Sequence, residues 1–163
     1  MESTAFFDQK VVLTPKDMNK INEVSMNGLL MEKAKEILEE RCNASGFVLP
    51  GTLKLLSRSM GYFEPARFTG DAVYYLKLEG RVLYPVEGIH IDGKVVRKNK
   101  MGIYIFHRNA IHVQVVRDLH IGNENFEKIE IGDTVRVELK KSRFQNNDKF
   151  ILSSGILVEP EKN

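Results

Sequence analysis

One cysteine, Cys42, stands in 163 residues, so the chain cannot form an internal disulfide. Long apolar runs are also missing. None approaches the roughly 18 residues of a membrane-spanning helix. The N-terminus lacks a basic stretch followed by an apolar one, so no secretory signal is expected. Together these absences point to an intracellular protein made in a reducing compartment. The net charge of +2 is too small to require a nucleic-acid partner, so any electrostatic argument must come from where the charges sit. What is present, 42% hydrophobic and 28% charged residues, describes a globular chain able to bury a core as one ordinary domain or two small ones.

The N-terminal half reads as β, α, then several β. Residues 5–13 alternate imperfectly as a strand, ended by Thr14-Pro15-Lys16-Asp17, whose proline favours a turn. Over 27–41 the residues Leu30, Ala34, Ile37 and Leu38 recur at helical spacing, with Asn27 as N-cap and Asn43-Ala44-Ser45-Gly46 as the stop. The charged positions between them read as a solvated face. Strands are predicted over 47–56, broken at Pro50-Gly51, over 62–68 with Pro65 marking an edge, and over 72–83. One helix against a sheet is the simplest packing of this order. Met18, Met26 and Met31 read as core filling or as part of a docking surface.

The C-terminal half is all β. Ile89, Ile91 and Val95 alternate with His90, Asp92 and Lys94, the period of a strand buried on one side, with Gly93 where a small barrel must bend. Gly88 to Lys94 also spells Gly-x-x-x-x-Gly-Lys. Val95 follows in place of the Ser or Thr that would ligate Mg²⁺, and the alternation leaves no loop, so a phosphate loop is rejected. Strands over 102–106, 110–116, 134–140 and 150–157, with an irregular link over 118–128, complete a five-stranded OB-fold pattern.

If Ile103 and Ile105 point inward, Tyr104 and Phe106 lie side by side on the surface, followed by Arg108 and faced by His112. Such rings are platforms for bases. Basic residues sit in the loops: Arg97, Lys98 and Lys100 after the first strand, Lys140, Lys141 and Arg143 after the fourth, then Lys149. From Gly88 to Val158 there are 12 Lys and Arg against 8 Asp and Glu, so the positive excess lies in this half. The candidate RNA contacts are therefore Lys98, Lys100, Tyr104, Phe106, Arg108, His112, Lys141, Arg143 and Lys149. The competing reading is that the rings pack on a neighbouring domain and the lysines only solvate the surface. His90, His107, His112, His120 and Cys42 show no paired ligand spacing, so no metal is expected. No acid/base pair or nucleophile neighbourhood is legible, so neither catalysis nor a cofactor is expected.

Gly132-Asp133-Thr134-Val135-Arg136-Val137, preceded by Met101-Gly102-Ile103-Tyr104-Ile105 and followed by Phe150-Ile151-Leu152-Ser153, resembles the RNA-binding OB-fold named for ribosomal protein S-one. In that resemblance Tyr104 falls on the RNA-stacking aromatic, His112 on the histidine and Lys149 on the basic residue. Asn109 stands where that barrel has Gly, Lys149 replaces Arg, and Gln145 replaces an acid.

Val11-Val12-Leu13-Thr14-Pro15, Gly46-Phe47-Val48 and Gly80-Arg81-Val82-Leu83-Tyr84-Pro85-Val86-Glu87-Gly88 extend the resemblance to the larger stalk subunit of multisubunit RNA polymerases. This is the family of the seventh-largest RNA polymerase II subunit and the archaeal E subunit. The resemblance implies an α+β tip domain over 1–84, a sheet with one helix, that docks to the polymerase core. An S-one-type OB-fold barrel over 85–163 would then contact nascent single-stranded RNA. It implies a non-catalytic subunit whose partners are the largest core subunits, the small subunit at the clamp base and the smaller stalk subunit. Its location would be the nucleus in a eukaryote, the cytoplasm in an archaeon, and the cytoplasm or virion for a large DNA virus. The alternative is a free-standing RNA-binding module of translation or RNA decay.

Overall fold

The computed structural model describes residues 1–22, 25–63 and 70–158. In chain order the elements are β1 (Glu2–Leu13), α1 (Pro15–Met18), a 3₁₀ turn (Asn19–Asn22), α2 (Met26–Leu38), β2 (Cys42–Asn43), β3 (Gly46–Val48), β4 (Lys54–Arg58), β5 (Tyr62–Phe63) and β6 (Ala72–Leu83). They continue with β7 (His90–Asn99), β8 (Gly102–His107), β9 (Ile111–Val116), a 3₁₀ turn (Arg117–His120), α3 (Glu124–Glu127), β10 (Thr134–Arg143) and β11 (Ile151–Leu157). The protein is thus mostly β with few helices. Contacts divide it into two compact units: Glu2–Glu39 with Val48–Val82, and Met1, Glu40–Phe47 and Leu83–Asn163. The second unit therefore takes in residues 40–47, which the sequence reading places in the N-terminal domain.

In the first unit β1 and β6 pair, and β4 and β5 lie along β6. Alternation puts Phe7, Val11 and Leu13 of β1, with Tyr74, Leu76, Leu78 and Val82 of β6, into one core. Helix α2 covers this face with Leu29, Leu30 and Ala34, while Met18, Met26 and Met31 pack at its margin. Ile37, expected inside, is 40% exposed, so the apolar stripe is turned toward Leu29.

The helix also starts and stops earlier than expected. Its cap is Ser25, not Asn27: the Ser25 hydroxyl accepts from Gly28 N at 3.1 Å. It ends at Leu38, because Glu39 turns extended and Glu40 has φ +56°. Of the strand expected over 62–68, only Tyr62–Phe63 is observed, and 64–68 lie outside the described residues.

Thr14 and Asp17 form a reciprocal capping box at α1. The Asp17 carboxylate accepts from Thr14 N at 3.1 Å and Thr14 Oγ1 at 2.9 Å, and pairs with Lys33 at 3.4 Å. The backbone hydrogen bond from Thr14 is the largest of these effects, and they hold the Asp17 pKa below its ordinary value although burial opposes them. A depressed carboxyl pKa contributes stability that is present above the unfolded value, about 3.9, and lost as pH falls through the folded value. Asp17→Ala removes the charged acceptor of Thr14 N and Thr14 Oγ1 and is expected to cost about 1.5–3 kcal/mol at pH 7. The difference from wild type should shrink below about pH 4, as chemical denaturation at a series of pH values will show.

The second unit contains a closed five-stranded barrel in the order β10-β11-β9-β8-β7, with β7 pairing back to β10. Every pair is antiparallel except β9 with β11, which run parallel. That arrangement is OB-like. Its interior is filled by Ile91, Val95, Ile103, Ile105, Ile111, Val113, Val115, Val137, Leu139 and Ile151, all buried. Gly93 is required by packing: a Cβ there would collide with Ile105 Cγ2 and lie 3.1 Å from Phe106 O.

The link from β9 to β10 is ordered, not irregular. His120 places Nδ1 2.8 Å from Val116 O, while its Nε2 accepts from Leu157 N at 2.9 Å, which fixes the Nδ1–H tautomer. Phe126 is fully buried and stacks on His120 at 4.9 Å.

Candidate nucleic-acid interface

Two rows of outward side chains cross the barrel wall. In the first, Lys94, Phe106, His112, Leu152 and Arg143 are successive Cα partners across β7, β8, β9, β11 and β10. In the second, Arg97, Tyr104, Gln114, Ser154 and Lys141 are partners in the same way. Each row begins and ends on a cation and carries an aromatic ring next to the first.

Two β-bulges decide which cations take part. On β7 the register shifts between Val95, opposite Ile105, and Arg97, opposite Tyr104. Arg97 is thereby turned outward, and Lys98 falls opposite the buried Ile103. The Lys98 ammonium donates to Glu127 O at 3.1 Å and Ile129 O at 2.9 Å, so it ties the link after β9 to the barrel. On β10 a second shift between Leu139 and Lys141 sets Lys141 opposite Ser154 and Arg143 opposite Leu152. Without that extra residue, strand alternation would turn both cations toward the other face.

The rings form one stack. His112 lies between Phe106, with centroids 3.8 Å apart and planes 6° from parallel, and Phe150, at 3.9 Å and 15°. These are van der Waals spacings, leaving no room for a further ring between them, so a base can add only at an open end of the stack or along its edges. Burial holds the His112 pKa below the ordinary histidine value, which keeps the ring neutral at pH 7.

Tyr104 is engaged differently. The Arg97 guanidinium lies over its ring at 5.7 Å, and its hydroxyl accepts from Gln114 Nε2 at 3.4 Å. Beside the stack is an open groove of about 510 Å³ whose lining includes Tyr104, Phe106, His112, Gln114, Lys141, Arg143 and Phe150. Ser142 Oγ and Ser153 Oγ meet at 2.7 Å in its wall.

Of the nine residues expected from sequence, Tyr104, Phe106, His112, Lys141 and Arg143 come together in this groove. Lys98, Lys100, Arg108 and Lys149 do not line it. Lys100 is exposed at the β7–β8 turn, and Lys149 is exposed next to Phe150. Arg108 (φ +51°) and Asn109 (φ +55°) form the tight turn between β8 and β9, closed by Ala110 N to His107 O at 3.0 Å. Asn tolerates this left-handed backbone, which accounts for Asn109 in the turn.

Phe150 and Gln114 were missed as site residues. Phe150 read as the first residue of a strand, and its place beside His112 depends on the parallel pairing of β9 and β11. The arrangement offers aromatic surface flanked by fixed positive charge, which suits unpaired bases and their phosphates. No family model and no curated protein matches this sequence.

Proposed function

We propose that this chain is the larger stalk subunit of a DNA-directed RNA polymerase. In this reading it docks through its N-terminal unit and contacts nascent single-stranded RNA with an OB-fold barrel, without catalysing a reaction. The observation that carries the RNA reading is the Phe106–His112–Phe150 stack beside Lys141 and Arg143. The polymerase reading rests on the sequence resemblance across both halves. It is supported by apolar exposure in the N-terminal unit, where Phe6, Met60 and Phe63 are 70, 88 and 66% exposed.

RNA contact is tested by a salt series on single-stranded RNA. Neutralising one phosphate contact changes the slope of log affinity against log salt by about 0.7, so Lys141→Ala with Arg143→Ala should flatten it by about 1.4. Lys98→Met should leave it unchanged, because that ammonium is held by carbonyl oxygens. An unchanged slope in the double variant would remove the groove from the phosphate path.

Polymerase membership is tested by a tagged pull-down from the native source with mass spectrometry of what remains bound in moderate salt. Recovery of the two largest polymerase subunits supports the stalk reading. Recovery of ribosomal or decay factors instead would replace it with that of a free-standing RNA-binding module.

A further inference from the structure

Between Arg143, on one side of the groove, and Ile151, the first residue of β11, lies the loop that delivers Phe150 to the ring stack. Its conformation is set partly from within. Gln145 N donates to Asp148 Oδ2 at 2.8 Å, Asp148 N donates to Gln145 O at 3.1 Å, and Asn147 adopts φ +70°. The rest comes from a segment about a hundred residues earlier. Cys42 N donates to Asp148 O at 2.8 Å and Cys42 O accepts from Asn147 N at 2.8 Å, so one residue exchanges both of its backbone groups with the loop. Arg41 Nη1 adds a 3.4 Å hydrogen bond to Asn147 O.

Cys42 is itself fixed by the short β2–β3 hairpin, where it pairs with Phe47, and it is 2% exposed. Burial first, and Asp148 second, push its thiol pKa up to about 11, so the side chain fills space as a neutral group. At the start of the same loop Phe144 meets Tyr84 edge to face at 5.8 Å and 87°.

We infer that residues 40–47 are a positioning element of the groove: the backbone of Cys42 tethers the loop at Asn147 and Asp148 and so holds Phe150 against His112. The inference rests on the RNA reading for its functional consequence but not for its structural one. Tethering matters because a stacking platform is effective only when it is ordered before the base arrives, and a loop bonded only to itself would spend that order on binding. Arg41, Cys42 and Asn147 are positioning residues, which touch no ligand in this reading.

The test uses the full chain with two variants at the tether. Asn147→Val disfavours the left-handed backbone that presents Asn147 N to Cys42 O, and Cys42→Pro removes the N–H that donates to Asp148 O. Asn147→Gly and Cys42→Ala, which keep both backbone hydrogen bonds, are the conservative counterparts. The first readout is the NMR shift of the His112 ring protons, which two flanking phenyl rings displace by ring current whether or not RNA is present. The second is affinity for a single-stranded oligoribonucleotide over a salt series.

In Asn147→Val and Cys42→Pro the His112 shift should move toward that of an unstacked ring, and affinity should fall roughly fivefold with an unchanged salt slope. The conservative variants should retain both. A His112 shift that stays put in both disruptive variants, with the barrel amides still protected from hydrogen exchange, would overturn the inference. If wild type binds no RNA while the shift responds as described, the tether stands and the RNA reading falls.

Discussion

Replacing Phe106 and Phe150 together with alanine will lower affinity for single-stranded RNA by at least tenfold and leave the barrel closed. Stacking a base on an aromatic side chain contributes about 1–3 kcal/mol, and these are the outer rings of the Phe106–His112–Phe150 stack. Both rings are half-buried on the outer wall, so the barrel interior keeps its packing without them.

Tyr104→Ala should have a smaller effect. One face of that ring is already covered by Arg97, so a base there would have to displace the guanidinium. Fluorescence anisotropy with a labelled oligonucleotide gives the ranking, and near-wild-type hydrogen exchange in β8 and β9 confirms the fold. Unchanged affinity in the double phenylalanine variant would take the stack out of the RNA path. A larger loss in Tyr104→Ala would mean that Arg97 swings aside and the tyrosine is the platform.

Gly93→Ala will loosen the barrel at its first strand. The added methyl group has nowhere to go: it would overlap Ile105 Cγ2, a fully buried side chain, and press on the backbone oxygen of Phe106 at 3.1 Å. Overpacking of this kind costs about 1–3 kcal/mol, because neighbours must leave their rotamers or the strands must part. In a chain of this size that lowers the midpoint of thermal unfolding by roughly 2–12 °C.

The damage should be local first. Amides of β7 and β8 should exchange faster than those of β1 and β6, which lie in the other compact unit. Equal acceleration in both units would show that they unfold as one. No acceleration in either would mean that the strands can separate at Gly93 without loss.

Most strands were legible because a sheet buried on one face imposes a period of two, and Ile91, Gly93 and Val95 or Ile103 and Ile105 display it without help from distant residues. The ends of α2 were less so. Asn27 was read as the cap, whereas Ser25 takes that place and Met26, the first helical residue, packs against the core that holds Leu30 and Ala34. The hairpin at 42–48 read as a helix stop followed by a strand, since Asn43-Ala44-Ser45-Gly46 carries turn chemistry either way.

The sequence by itself determined which segments of the barrel would be strands, that Tyr104, Phe106 and His112 would share the outer wall, and that the positive excess would lie in the second half. Each follows from alternation or composition, which act over a few residues. Tertiary structure decided which cations meet those rings. Single extra residues at the β7 and β10 bulges turned Arg97, Lys141 and Arg143 outward and sent Lys98 to two backbone carbonyls. It also decided that Phe150 would close the stack, because the parallel pairing of β9 with β11 and the tether from Cys42 join residues far apart in the chain. A bulge costs one residue of register and has no fixed sequence sign, yet it reverses the face of every side chain after it.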